Sequence, residues 1–480
     1  MCTPFTSEPV MVAAISPRGV DAIPSPALRA RLWRDDLARE HGFEPLAVEG
    51  AMPAELRGTL YRNGPGLFGQ FGKRYSHPFE GDGAVTAVRF GDGGVLGASR
   101  VTQTAGLLAE RAAGELKYGF SLSWRRRFAN MLRGRFKNTA NTSVMIWQGR
   151  LFGMMEGAKP TELDPQDLEM IGETDLGGMI VGAFSAHPHR VASRAASYNF
   201  GLEYGKTTRL HMYELPDQGA ARRIGSLALQ GPAMLHDFIA TDTHLIFFVP
   251  PSRVHVPRML LQLGRFDDLF CWRPELGTEI ICVPIDRPDE VVRFTTDAFY
   301  QWHFTNAFDR GGELVIDYVR YPSFDSFYAI GAYARGDNPP ALSGGQAHRA
   351  TISLATRTLR SEPLFDDSCE FPTVAPGREG REHGLSYFAL GDNAIGKLDH
   401  ATGRLSTRPS GEDVSTEPLF VARPGAIAED DGWLLALCHD ETSDRACVAV
   451  YDAKRLDGPI ARAWFDHQIP ITFHGTFLGS

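Results

Sequence analysis

Four histidines stand in segments whose neighbours are apolar or are Gly and Pro. They are His187 in Ser185-Ala186-His187-Pro188, His236 in Met234-Leu235-His236-Asp237-Phe238, His303 in Trp302-His303-Phe304-Thr305-Asn306-Ala307, and His474 in Phe473-His474-Gly475-Thr476-Phe477. Imidazole nitrogen is a favoured ligand for divalent iron, copper, zinc and nickel. Bringing four such side chains together from segments this far apart requires a scaffold that aims distant strands at one place. Two acids occupy comparable settings, Glu370 in Cys369-Glu370-Phe371-Pro372 and Glu417 in Thr416-Glu417-Pro418-Leu419-Phe420. A carboxylate in an otherwise apolar strand needs a partner. The second ring N–H of a metal-bound imidazole is one such partner, and it fixes the tautomer and aim of the ring.

The elements that must position these residues are short. Runs such as Leu245-Ile246-Phe247-Phe248-Val249, Glu313-Leu314-Val315-Ile316-Asp317 and Trp433-Leu434-Leu435-Ala436-Leu437 are bounded by Gly, Pro, Asp and Asn. That texture reads as many strands joined by tight turns. Ahead of it, Pro26 to His41 is rich in Leu, Arg and acidic residues and predicts a helix. A weak repeat of strand, turn and strand recurs at Asp92, Asp164, Asp217, Asp286, Ser353-Leu354-Ala355-Thr356, Asp399 and Asp452. Seven occurrences about 45 to 70 residues apart fit the blades of a β-propeller with inserted loops. Asp-bearing hairpin turns are common in any all-β protein, so chance repetition is the competing reading. On a propeller, His187, His236 and His303 fall one per repeat, and His474 falls where a last strand closes the ring. Glu370 and Glu417 come from the units between.

Composition narrows the class. The 480 residues are 43% hydrophobic and 22% charged, ordinary for a globular protein with a substantial core. A formal charge of −9 argues against non-specific nucleic-acid binding. No segment approaches the roughly 20 unbroken apolar residues of a spanning helix. Met1-Cys2-Thr3-Pro4-Phe5 has no cationic lead followed by an apolar run, so no secretory signal is expected. The six cysteines (Cys2, Cys271, Cys282, Cys369, Cys438 and Cys447) show no CxxC spacing and read as reduced thiols of a cytoplasmic protein.

Taken in order, the segments resemble the carotenoid cleavage oxygenase family from about residue 50 to the end. The resemblance runs through Gly58-Thr59-Leu60-Tyr61-Arg62-Asn63-Gly64-Pro65-Gly66, His77-Pro78-Phe79-Glu80-Gly81-Asp82-Gly83 and Lys137-Asn138-Thr139-Ala140-Asn141-Thr142. It continues through the four histidine segments, Glu370-Phe371-Pro372, Glu417-Pro418 and Arg423-Pro424-Gly425-Ala426-Ile427-Ala428-Glu429-Asp430-Asp431-Gly432-Trp433. It implies an all-β, seven-bladed propeller with a helical and loop cap over one face. It also implies a non-haem Fe(II) held by His187, His236, His303 and His474, with Glu156, Glu370 and Glu417 as carboxylates behind them. Four neutral imidazoles leave the ion doubly charged, with room for dioxygen, unlike the two-His-one-carboxylate oxygenases. The activity implied is oxidative cleavage of a conjugated double bond into two carbonyl products, with no separate catalytic acid or base. His189, His244 and His255 lack matching motifs and are assigned surface or satisfied-core roles.

Within that family the motifs look most like those of bacterial apocarotenoid oxygenases, which implies an apocarotenoid substrate and a retinal-like aldehyde product. Stilbene cleavage is the alternative. Those enzymes grip a phenolic hydroxyl with Tyr and Lys; Lys137 is present, but Leu107 stands where the Tyr is expected. Retinoid isomerisation on the same iron site is a third reading, and a non-catalytic propeller a fourth. Asp82, Lys137 and Asn141 are read as structural, and Glu110-Arg111 as part of a cap helix. The domain expectation is an N-terminal extension over 1–45 and one propeller over 46–480, with cap insertions at about 104–136 and 250–275. The basic and apolar stretch Phe120 to Phe136, together with Val254 to Gly264, is expected to make peripheral contact with a membrane. A lipophilic polyene is the expected partner, and the inner membrane face the expected location.

Overall fold

Strands that are middle members of a sheet buried on both faces carry continuous apolar runs, and strands at a wetted edge alternate. In the computed structural model, which describes residues 26–337, 344–391, 393–409 and 414–480, both kinds are present. His244–Val249 and Gly432–Asp440 are buried almost throughout, whereas Arg222–Ala228 is mostly exposed. The strands form seven four- to six-stranded blades around one axis, a β-propeller. The fifth and sixth blades share one continuous sheet, because the 16-residue strand Thr358–Thr373 is the outer strand of one and the inner strand of the next.

Ring closure joins the two ends of the chain. The C-terminal strand His474–Gly479 pairs antiparallel with Gly58–Leu67, in register from Gly58↔Gly479 to Asn63↔His474, and becomes the inner strand of the first blade. Gly475 lies so close to this partner that a Cβ would meet Arg62 Cδ at 2.6 Å, so only glycine fits there. The seven repeated turn segments all fall at the same place, between the third and fourth strands of successive blades. The repeat seen in the sequence is therefore the blade repeat.

The helix expected over Pro26 to His41 spans only Pro26–Leu32. Asp36 Oδ1 accepts a hydrogen bond from Phe68 N at 2.6 Å, and Leu37 N donates to Gly66 O at 2.7 Å. These bonds draw the chain onto the first blade, and His41–Pro45 joins its outer edge beside Gly94–Val101. Residues 1–25, including Cys2, lie outside the described residues.

The cap comes from insertions between strands. Helix Ala105–Ala113 is capped by Thr104 Oγ1 and stopped by left-handed Gly114, and it contains Glu110 and Arg111 as expected. Helix Trp124–Leu132 has no buried residue. The fourth blade inserts helix Val256–Leu261 and the hairpin Ser252–Val254/Phe270–Trp272. A further cap helix, Asp325–Arg335, rises from the fifth blade and was not anticipated, although Asp325 at its start and Gly336 at its end are ordinary boundary signals. Among the described residues, no helix is long and apolar enough to cross a membrane.

Candidate metal centre

The inner strands bring the four histidines together at the hub. His187 and His236 immediately precede the inner strands of the third and fourth blades, His303 lies within that of the fifth, and His474 opens that of the first. His236 Nε2 lies 3.3 Å from His303 Nε2, and His474 Nε2 lies 3.0 Å from the same atom. The His187 ring centroid is 4.3 Å from that of His236 and 4.8 Å from that of His474. His187 Nε2 is buried without a hydrogen-bond partner.

The outward nitrogens explain why the inward ones converge. His303 Nδ1 faces Glu370 Oε2 at 2.5 Å, His474 Nδ1 faces Glu417 Oε1 at 2.9 Å, and Glu156 Oε1 sits against His236 Nδ1. A carboxylate accepts only, so Nδ1 of each of these rings carries the proton and Nε2 presents a lone pair to the hub. Several lone pairs about 3 Å apart repel unless a cation lies among them. Nitrogens held about 2.1 Å from a small divalent ion in perpendicular directions stand about 3 Å apart, so the spacing fits such an ion. The residues present therefore fit the iron site that the resemblance implies.

Each carboxylate is itself held. Glu370 accepts from Tyr321 O–H at 2.7 Å and from Phe371 N at 2.7 Å. Glu417 accepts from Gly475 N at 2.9 Å and pairs with the fully buried Arg62 at 2.5 Å. Arg62 also donates to Thr472 Oγ1 and to Phe473 O. Burial alone raises a carboxyl, but Arg62 and His474 hold Glu417 below its ordinary value, and His303 with Tyr321 does the same for Glu370. Burial pushes His187 well below the usual imidazole range and also lowers His474. For His303 burial is outweighed by Glu370, which shifts it upward. Phe371 adopts a left-handed backbone (φ 50°) that a bulky side chain rarely takes, and its ring stacks on His303 at 5.3 Å.

Two cavities meet at the centre. One, of about 220 Å³, is walled mainly by apolar side chains including Phe79, Trp302, Phe371, Ile471 and Phe473, and it touches His236, His303 and His474. Helix Asp325–Arg335 covers part of it through Ile330 and Tyr333. The other, of about 350 Å³, is polar and reaches the rings of His187, His303 and His474 from the opposite side. The stretch Phe120 to Phe136 contributes no lining residue to the apolar cavity. Between them stands an aromatic wall in which Phe120 packs on Phe266, Phe266 on His77, and His77 on Phe79.

Lys137 lies elsewhere. It is buried, its ammonium 2.7 Å from Asp82, 2.6 Å from Glu110 and 3.1 Å from Tyr75 O–H. Asn141 donates to Phe79 O and Gly81 O. Leu107 is a core residue of its helix. None of Lys137, Asp82 and Leu107 lines the apolar cavity. His244 bonds to Thr243, and His255 caps a helix by accepting from Arg258 N. Arg62 and Tyr321 were not singled out from sequence. Arg62 carried the same signal as Glu417, a charge inside an apolar strand, whereas nothing in the sequence marks Tyr321.

The fold is a β-propeller whose hub gathers four imidazoles, three of them backed by carboxylates, in an arrangement that could hold a metal ion. The chain belongs to the RPE65 family, described as retinal pigment epithelial membrane protein, whose model matches residues 36–479. It is 33% identical over 459 residues to an apocarotenoid-15,15'-oxygenase of Synechocystis, covering 90% of this chain and 92% of that one. It is 28% identical to lignostilbene-alpha,beta-dioxygenase isozyme III of Sphingomonas paucimobilis, covering 90% of this chain and 93% of the other. The fold superposes on cobalt-substituted Synechocystis ACO with a TM-score of 0.87 at 30% identity, covering 96% of this chain and all of that one.

Proposed function

We propose that this protein is a non-haem Fe(II) oxygenase that uses dioxygen to cleave one conjugated C=C bond of an apocarotenoid, giving two carbonyl products, one of them a retinal-like aldehyde. His187, His236, His303 and His474 hold the iron, and Glu156, Glu370 and Glu417 orient three of them. One observation carries the reading: inward-facing imidazole nitrogens at the hub open directly onto a narrow apolar cavity. When bound, the iron supplies the activation of dioxygen. The chain's part is to exclude water and hold an extended polyene across the ion with Phe79, Trp302 and Phe371. The propeller, which takes in His41–Pro45 at the outer edge of its first blade as well as the expected 46–480, acts as the catalytic unit.

Polyene is favoured over stilbene by the state of Lys137. A lysine whose three donors are taken by Asp82, Glu110 and the Tyr75 hydroxyl oxygen has none to spare for a substrate phenol, and it lies outside the cavity lining. Iron-loaded protein incubated with apocarotenals and with resveratrol-like stilbenes decides between them by product mass. Apocarotenal fragments each carrying one new oxygen are expected. Turnover of stilbenes alone would reverse the assignment, and a product of unchanged mass would indicate isomerisation.

Peripheral membrane contact belongs to the same reading. Trp124, Leu132, Leu260 and Leu261 are half or more exposed, Phe136 is 75% exposed, and the contacting helices Trp124–Leu132 and Val256–Leu261 carry most of them. Arg125, Arg133 and Arg135 in the same stretch are exposed as well, a combination of apolar and basic side chains suited to the headgroup boundary. Co-sedimentation with detergent-free liposomes is expected, and failure to bind any vesicle removes this part of the proposal.

A further inference from the structure

Asp237 follows directly after His236 and is 1% exposed. Its carboxylate makes three bonds that together reach three successive blades. Oδ1 accepts from Phe238 N at 2.8 Å, next along its own segment, and bonds His189 Nε2 at 2.8 Å. Oδ2 accepts from Phe304 N at 3.0 Å. His189 opens the inner strand of the third blade two residues after His187, and Phe304 directly follows His303 in the inner strand of the fifth. One carboxylate thus ties together the backbone segments that deliver His187, His236 and His303.

Nothing else described at the hub spans those three segments. Glu370 and Glu417 each act on the ring of one histidine, whereas Asp237 touches no hub ring within hydrogen-bond reach. It acts on the peptides and side chain beside the rings. The inner strands it joins are short or interrupted. The fourth blade's is only Ile239–Ala240, and the fifth's shifts register between Gln301 and Asn306, across His303. Ladder bonding there is too sparse to fix where His236 and His303 stand relative to each other.

We propose that Asp237, with His189 as its partner, is a positioning residue of the metal centre: it sets the mutual spacing of the His187, His236 and His303 segments and thereby the affinity and symmetry of the bound ion. This rests on the hub being the metal centre. An aspartate there does more than fill a buried site, because its two oxygens address different blades, and an alanine would leave Phe304 N and His189 without an acceptor.

The test uses the full-length protein stripped of metal and titrated with Co(II), read by the visible d–d absorption of the bound ion, with thermal melting of the metal-free protein as the fold control. Wild type is expected to bind one Co(II), and His236→Ala none. Asp237→Ala is expected to melt as a folded protein but bind Co(II) about 10–100-fold more weakly, with an altered d–d band. Asp237→Asn, whose amide oxygen can still accept from Phe304 N but whose NH2 then faces Phe238 N–H, is expected to recover affinity and band only in part, between Asp237→Ala and wild type. His189→Ala, at a position that reaches solvent, should shift the band in the same direction as Asp237→Ala and by less. A wild type that binds no Co(II) removes the metal reading itself. A wild type that binds Co(II), with Asp237→Ala and His189→Ala indistinguishable from it in affinity and spectrum, overturns the positioning role alone.

Discussion

Among the described residues two histidine-containing clusters have metal-ligand spacing, and they make different chemistry from similar residue types. At the hub, ligand atoms of His187, His236 and His303 lie within 4.8 Å of one another; between the fifth and sixth blades, those of Asp317, His383 and His400 do the same. In the second cluster His383 Nε2 stands 3.2 Å from Asp317 Oδ2, and Ser386 Oγ bridges His383 Nε2 and His400 Nε2 at 3.1 and 2.8 Å. By spacing alone this is a plausible tetrahedral site. The outward nitrogens say otherwise. His400 Nδ1 faces an Arg349 N–H at 3.1 Å, and His383 Nδ1 faces the Asn306 amide N–H at 3.0 Å. Donors on Nδ1 force the proton onto Nε2, so these rings point N–H groups inward at Asp317 and Ser386. Arg349 already neutralises Asp317 through two bonds of 2.7 Å. Carboxylates behind the rings make a centre that wants a cation, and cationic or amide donors behind them make a closed hydrogen-bond latch between blades.

The sharpest way to break this contrast is to remove one imidazole from each cluster. His303→Ala is expected to lose bound iron and all cleavage activity, while His383→Ala keeps a full complement of iron by elemental analysis; the reverse pattern would end the distinction. Next in size, Glu370→Gln replaces an acceptor with an amide that can offer N–H to His303 Nδ1. It should weaken metal binding about 10–100-fold with little change in melting. Asp317→Asn should do the opposite. It leaves iron content unchanged and lowers stability in denaturant titration by about 2 kcal/mol, since Arg349 loses its partner but keeps some access to water.

The smallest effect is a pH dependence of the latch. Burial pulls His400 down from 6.5 to about 4. Between those values the unfolded chain takes up a proton that the folded chain refuses, so stability falls as pH drops from about 6.5 to 4, by up to about 3 kcal/mol. Asp317 opposes burial through Arg349 and His383, which hold it at about 2, so its contribution is present above about 4 and disappears only as pH approaches 2. Melting curves from pH 7 to 4 should therefore be flatter for His400→Gln than for wild type. Equal slopes would show that His400 is not held neutral by the fold.

Much of the hub was legible from the chain. The four histidine segments, Glu370 and Glu417 announced themselves because charged or metal-ligating side chains among apolar neighbours are costly without a partner. The seven turns showed the blade repeat because each sits at one fixed place in it. Glu156 was recognisable only through family resemblance, since it follows a second strand (Arg150–Met154) and reaches the hub from a loop. The first helix was overextended because its Leu and Arg pattern does not reveal that Asp36 and Leu37 bond to the first blade. The helix over the cavity was missed although its boundary residues were ordinary.

What the sequence alone determined is the inventory: which imidazoles and carboxylates exist, their order, and the strand-and-turn rhythm that carries them. Tertiary structure alone decided which nitrogen of each ring faces inward. The two nitrogens of an imidazole are indistinguishable in a sequence, and they become donor and acceptor only when a neighbour from another blade claims one of them. The same holds for Asp237, whose role depends on two partners lying 48 and 67 residues away in the chain.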